Sequence, residues 1–248
     1  MKPLMANLVL AGIALQLPLA ASVLGKRLWR SFPIFATYSL SNLIVTLGLY
    51  ALRRGVHVPL VNFYAYWICE GLSVLLGFGV VYELFRELFR PYDGLRRMAA
   101  AAFKWVLAGL VALACVVLYA QSSGEQNPLM SAVLVTEETA RIVEVGLLVF
   151  LFAFSRAFGL HWRQNVFGIA LGLGVFTSVE LAGIALQTHI GPAAFQAFNL
   201  ARALSFNASL LIWMVYILAP ERITSTAELP QRAQLEQWNQ AIMELIHQ

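Results

Sequence analysis

Apolar residues along this chain gather into long runs that alternate with short polar connections. Seven runs can be counted, and each is close to the ~20 residues that a helix needs to cross a bilayer's hydrocarbon core. The pattern predicts an all-α, polytopic membrane protein, with seven transmembrane helices in a domain over residues 1–219. The runs cover residues 4–24, 33–52, 60–85, 99–120, 130–154, 165–186 and 195–218.

The fifth run differs from the others because it contains four charges, at Glu137, Glu138, Arg141 and Glu144. Each charge at the centre of a spanning helix costs roughly 2.5–3.5 kcal/mol, a total of roughly 10–14 kcal/mol. The Leu, Ile, Val and Phe residues of the run recover only about 4–8 kcal/mol of this penalty. We therefore expect this helix to cross a membrane only inside a bundle, where other helices supply partners for its charges.

Basic residues at the ends of the runs indicate the orientation. Eleven Lys and Arg residues lie in the first, third and fifth connections and the tail, and three lie on the opposite side. The positive-inside rule then predicts an N-terminus outside and a C-terminus in the cytoplasm. Residues 1–22 could also be a cleaved signal peptide, but their removal would turn the Arg-rich connection 86–97 outward.

Composition agrees with a membrane location, since 60% of the residues are hydrophobic and 12% are charged. The net charge of +4 lies mainly at the ends of the runs, so it indicates topology and gives no reason to expect nucleic acid. Cys69 and Cys115 lie inside apolar runs without metal-type spacing, and we interpret them as packing residues. The expected surroundings are membrane lipid, and no metal or cofactor is predicted.

With this orientation, a rise of about 1.5 Å per residue places charges from four helices between the midplane and the outer boundary. Within the fifth run, Arg141 lies four residues after Glu137 and three before Glu144, so one face can carry paired charges. Glu138 points elsewhere and needs Arg202 or a proton as its partner. Glu83 and Lys104 lie nearer the cytoplasmic ends and are expected to reach water. The predicted cluster comprises Glu70, Glu137, Glu138, Arg141, Glu144, Glu180 and Arg202.

Two interpretations of this cluster stay open. The charges can form an ion-paired lock that orients the helices, because such pairs occur as packing devices. They can also form a site in the outer half of the bundle for a ligand, an ion or a proton. The cluster has five carboxylates and two guanidinium groups, so some carboxylates must be protonated or meet a cation.

Small residues indicate where helices pack closely, and aromatic residues indicate where the membrane boundary lies. Gly168 and Gly172 are four residues apart on the sixth run and would let a neighbouring helix approach closely. Trp213 and Tyr216 lie near the predicted inner boundary and are interpreted as interfacial anchors.

The tail, residues 220–248, has no long apolar run, and its sequence pattern predicts a cytoplasmic amphipathic helix. Its apolar residues recur at helical spacing, and its polar face lacks the Lys/Arg excess that anionic lipid attracts. We expect this helix to pack on protein, through a partner or through self-association. The apolar positions are Leu235, Trp238, Ile242 and Leu245.

Known chemistries fit the runs poorly. The last run has Arg202 and no lysine, so a retinal Schiff base is excluded. Glu137 to Arg141 looks like the Glu-Glu-x-x-x-Arg motif of the CAAX-processing and bacteriocin-immunity membrane proteases, but has one residue fewer before the arginine. That family also uses histidines on later spans, whereas His161 and His189 are predicted in connections. An intramembrane enzyme is therefore the less favoured hypothesis.

Three stretches resemble an uncharacterised family of bacterial seven-span integral membrane proteins of about this length. They are residues 66–70 with 77–78 and 82–86, residues 154–155 with 162–163, and residues 167–172 with 178–180. The resemblance implies a multi-pass protein of the bacterial inner membrane and implies no activity. We expect a non-catalytic sensory or accessory module of a membrane complex. The alternatives are a proton- or ion-coupled transporter and, second, an intramembrane enzyme.

Overall fold

The computed structural model describes most of the predicted runs. It covers residues 2–55, 59–90, 128–157, 162–190 and 195–219, and one to three helical residues at a time between 97 and 116. Every regular element in these residues is helical, so the all-α prediction is confirmed for them. The elements are α1 (Lys2–Gly25), α2 (Leu28–Ser31), α3 (Pro33–Gly55), α4 (Pro59–Leu88), α5 (Pro128–Ala157), α6 (Gln164–Ile190) and α7 (Phe195–Leu218).

Four stretches of the described helices are long and apolar enough to cross a membrane, and they make this chain a membrane protein by length and composition. They are Leu4–Gly25, Ile68–Leu88, Gln164–Gly183 and Gln196–Leu218. They coincide with the first, third, sixth and seventh predicted runs. α3 contributes a shorter apolar stretch, Pro33–Gly48. The full count of seven spans and the orientation of the termini stay predictions.

Contacts divide the chain into two compact units. The first comprises Met1–Glu83 and Gly168–Ala219, and the second includes Leu84–Phe167. The predicted cytoplasmic tail, residues 220–248, lies outside the described residues. The predicted division of the chain at residue 219 therefore stays a prediction.

Trp213 on α7 lies at the centre of the first unit. It is 1% exposed, and its ring makes edge contacts with Phe35 and Tyr38 of α3 at centroid distances of 5.3 and 6.0 Å. Its Nε1 donates a hydrogen bond of 3.2 Å to the carbonyl oxygen of Ile169 on α6. The prediction of an interfacial anchor at this residue was wrong, because α6 offers an acceptor that satisfies the indole inside the protein.

The buried indole fits because glycines line the facing side of α6. A Cβ at Gly172 would overlap Trp213, and one at Gly168 would overlap Tyr216. The hydroxyl of Ser209 donates a hydrogen bond of 2.7 Å to the carbonyl oxygen of Gly172. Small residues thus let α6 and α7 approach closely, which is a common device where helices pack in membranes.

Glu83 caps a helix within the first unit. Its Oε1 and Oε2 accept hydrogen bonds from the backbone amides of Ile34 (2.9 Å) and Phe35 (2.8 Å), and the residue is 8% exposed. The expectation that Glu83 reaches water was wrong. α3 begins at Pro33, so its first amides have no acceptor within the helix, and a carboxylate is favoured at this positive end of the helix dipole.

Aromatic rings pack together in the second unit against the C-terminal half of α5. Phe85 of α4 lies 4.7 Å from Phe89 and 6.1 Å from Phe150 between ring centroids. Phe154 lies 5.4 Å from both Phe89 and Phe150. This cluster holds α5 against the end of α4, and it fixes the helix that carries Arg141 and Glu144.

Candidate functional site

Two carboxylates of the first unit, from Glu70 and Glu180, lie against the guanidinium group of Arg202 on α7. Its Nη2 lies 2.9 Å from Oε2 of Glu70 on α4, and its Nε lies 2.6 Å from Oε1 of Glu180 on α6. One guanidinium group therefore joins two carboxylates from two other helices. We call Glu70, Glu180 and Arg202 the charge triad.

The triad is buried unevenly. The side chain of Glu180 is 1% exposed, that of Glu70 is 11% exposed, and that of Arg202 is 24% exposed. A guanidinium group carries five N–H donors, so Arg202 can contact two carboxylates and still present donors elsewhere. Glu180 thus anchors the triad inside the unit, while Glu70 and Arg202 present part of their surface to open space.

That space is a cavity of about 370 Å³ within the first unit, and Glu70 and Arg202 form part of its wall. Its volume lies in the range of small-molecule sites, about 300–1,000 Å³. Side chains from α1, α3, α4, α6 and α7 contribute to the wall. The uncharged polar residues of the wall are Gln16, Asn42, Thr46, Ser73, Asn199 and Asn207.

Three amide side chains in this wall have polar atoms without a hydrogen-bond partner among the described residues. Gln16 is 2% exposed, and neither its Nε2 nor its Oε1 has a partner. The same holds for Nδ2 of Asn42 and Oδ1 of Asn207. A buried polar group in this condition costs about 1–3 kcal/mol. The cavity therefore combines open volume with donors and acceptors that the protein itself does not use.

The orientation of one of these amides is set by the backbone. Nδ2 of Asn207 donates hydrogen bonds to the carbonyl oxygens of Leu8 (3.2 Å) and Ala203 (2.9 Å). Because both protons of this amide are engaged, its Oδ1 is the atom left for another donor.

The second unit contains a different charged group. Nη1 of Arg141 lies 3.0 Å from Oε2 of Glu144, and the two side chains are 2% and 0% exposed. This is the pairing across three residues of one helix that the spacing predicts. Glu138 is half-buried, and the side chain of Glu137 lies outside the described residues.

The structure thus brings together Glu70, Glu180 and Arg202 of the predicted cluster, and separately Arg141 and Glu144. The amides at Gln16, Asn42 and Asn207 were missed, because the search for site residues considered ionisable groups. All three lie inside apolar runs, and a search for uncharged hydrogen-bonding residues in those runs would have found them. The predicted partner-binding residues Leu235, Trp238, Ile242 and Leu245 lie outside the described residues.

Among the described residues, no group of three or more His, Cys, Asp or Glu side chains could hold a metal ion. No protein-family model, curated protein or solved structure matches this chain. Fold and site therefore define a class of protein. It is a helical membrane protein whose first unit contains a cavity lined by amides and by two members of the charge triad, Glu70 and Arg202.

Proposed function

We propose that the protein is a non-catalytic sensory or accessory module of a membrane complex. It binds a small molecule in the cavity of the first unit and acts on a protein partner through its C-terminal helix. The observation that carries the proposal is the cavity of about 370 Å³ against which the buried, unpartnered amide of Gln16 lies.

A ligand site accounts for this wall better than a lock does. A lock needs paired charges and dense packing, and protein interiors normally leave few voids larger than a water molecule. Beside the charge triad, the first unit has an open volume, and its wall has polar atoms without a hydrogen-bond partner in the described part of the chain. Both features lower the stability of the empty protein. A bound ligand would fill the volume and form hydrogen bonds with the polar atoms.

The proposed setting is the inner membrane of a bacterium, with seven spans, an external N-terminus and a cytoplasmic tail. The distribution of basic residues supports this topology, and the four long apolar helices support the membrane location. In this orientation the triad lies in the outer half of the membrane, on the side opposite the tail.

The test compares two alanine-to-leucine variants on α7. Ala203 borders the cavity, and Ala201 is exposed on the same helix. Ala203→Leu fills part of the cavity without removing a polar group, whereas Ala201→Leu adds the same atoms outside. We expect the wild type and Ala201→Leu, purified in mild detergent, to release the same small molecule on denaturation. Ala203→Leu should lose it.

Native mass spectrometry and extraction followed by chromatography measure the bound molecule, and circular dichroism checks that each variant is folded. Retention of the molecule by folded Ala203→Leu, or its absence from the wild type, would refute binding in this cavity. Flux of the molecule across proteoliposomes would replace the sensory or accessory role by transport.

A further inference from the structure

We infer that the cavity of the first unit takes an uncharged ligand that has a carboxamide-like or urea-like group attached to an apolar part. This inference rests on the proposed function and adds the chemical class of the ligand. It follows from three properties of the wall: the pairing of Glu70 with Arg202, amide atoms without a hydrogen-bond partner among the described residues, and two aromatic rings in contact.

The charges of the wall are already engaged with one another. Arg202 contacts both Glu70 and Glu180, at 2.9 and 2.6 Å. A charged ligand would have to disturb this ion pair, because a cation would compete with Arg202 for Glu70 and an anion would compete with Glu70 for Arg202. Either ligand would also lose part of its hydration on entering the cavity. An uncharged ligand avoids both penalties.

The amides of the wall offer donors and acceptors together. The side chain of Gln16 provides two N–H donors and a carbonyl acceptor, and none of them has a partner among the described residues. Asn42 adds a donor through Nδ2, and Asn207 adds an acceptor through Oδ1. A carboxamide or a urea carries the complementary acceptor and donors on adjacent atoms, so it can form reciprocal hydrogen bonds with an amide side chain.

The wall also has an apolar part. The rings of Phe176 and Phe206 lie 5.6 Å apart in an edge-to-face arrangement, and both border the cavity with Leu8 and Val45. Aromatic rings in this geometry favour contact with another ring or an aliphatic group. The ligand therefore carries an apolar part that packs against these residues while its polar group meets the amides.

Three probes that share one ring separate the possibilities. Benzamide is uncharged, benzamidinium is a cation and benzoate is an anion, and the three have nearly the same size. Saturation-transfer NMR with the protein in lipid nanodiscs, and with empty nanodiscs as the blank, measures their binding. We expect wild-type protein to bind benzamide more tightly than benzamidinium or benzoate.

Variants of Gln16 assign the effect to this side chain. Gln16→Leu should weaken benzamide binding by about tenfold, because the reciprocal hydrogen bonds are lost. Gln16→Glu replaces the N–H donors by a carboxylate oxygen, so benzamidinium should now bind more tightly than benzamide. Gln196, which is exposed on α7, provides the controls Gln196→Leu and Gln196→Glu, and neither should change the order.

The outcomes separate the ligand class from the proposed function. The inference on ligand class is wrong if benzamidinium or benzoate binds wild-type protein best, or if the Gln16 variants leave the order of the three affinities unchanged. It is also wrong if no probe binds because the cavity holds only water. The proposed function survives any of these results as long as a molecule sensitive to Ala203→Leu co-purifies. It fails separately when no such molecule is present.

Discussion

The two units of this protein contain the same kinds of charged residue in different surroundings. In the first unit, Arg202 joins carboxylates from two other helices, and Glu70 and Arg202 border a cavity of about 370 Å³. In the second unit, Arg141 and Glu144 pair within one helix, and their side chains are 2% and 0% exposed. Both units therefore contain buried charges. Open space beside such charges is described at the triad of the first unit.

The comparison teaches that a buried ion pair in an apolar helix does not by itself identify a binding site. Removing two charges from water has a cost that their mutual attraction only partly offsets, so such pairs occur for structural and for functional reasons. The first unit differs by its cavity, whose wall includes the amide of Gln16, and this buried amide has no hydrogen-bond partner among the described residues. The combination, not the charge, favours a site.

The largest effect is expected where the charges are most deeply buried. Arg141→Leu leaves Glu144 without this partner in the interior and should lower the free energy of unfolding by about 3–5 kcal/mol. The double variant Arg141→Leu, Glu144→Leu should lose less than the sum of the single variants, because no charge is then left behind. Denaturant unfolding in detergent micelles measures all three variants. Strictly additive losses would show that the pair does not act as a unit.

An intermediate effect is expected at the triad. Arg202→Leu should lower the free energy of unfolding by roughly 1.5–3 kcal/mol, the range for hydrogen bonds to charged groups. The loss is smaller than at Arg141 because the Arg202 side chain is 24% exposed, so solvent already screens part of its attraction to the carboxylates. Arg202→Lys keeps the positive charge, so its free energy of unfolding should lie between those of the wild type and Arg202→Leu. A loss as large as that of Arg141→Leu would remove the distinction between the two units.

The smallest effect, and one of opposite sign, is expected at Gln16. In protein washed free of ligand, Gln16→Leu should raise the free energy of unfolding by about 1 kcal/mol, because it removes unpartnered polar atoms from a buried position. Ser155 of the second unit is fully buried, and its hydroxyl also lacks a partner among the described residues, so Ser155→Ala serves as the comparison. Thermal unfolding in detergent measures both. A clear loss at Gln16→Leu would show that this amide has a structural partner.

Local patterns predicted much of what the structure describes. The seventh run, residues 195–218, coincides with α7 (Phe195–Leu218), and the fifth run lies within α5 (Pro128–Ala157). The pairing of Arg141 with Glu144 also followed from their spacing. These features depend on residues close in the chain, where apolar run length and the helical repeat are sufficient guides.

The errors concern residues whose environment is made by other helices. Trp213 was expected at the membrane interface, but it packs on Phe35 and Tyr38 and donates to the backbone of α6. Glu83 was expected in water, but it caps α3, about fifty residues earlier in the chain. In both cases the deciding partner is distant in sequence, and its position depends on how the helices pack.

By itself, the amino-acid sequence determined that the described residues form long apolar helices, and that charged groups inside them require internal partners, because hydrocarbon solvates neither an open backbone nor an isolated charge. Only the tertiary structure decided which charges meet, that Arg202 serves both Glu70 and Glu180, and that an amide-lined cavity lies beside them. These depend on close approach between helices, which glycines such as Gly172 permit. A single helix does not reveal which surface it will meet.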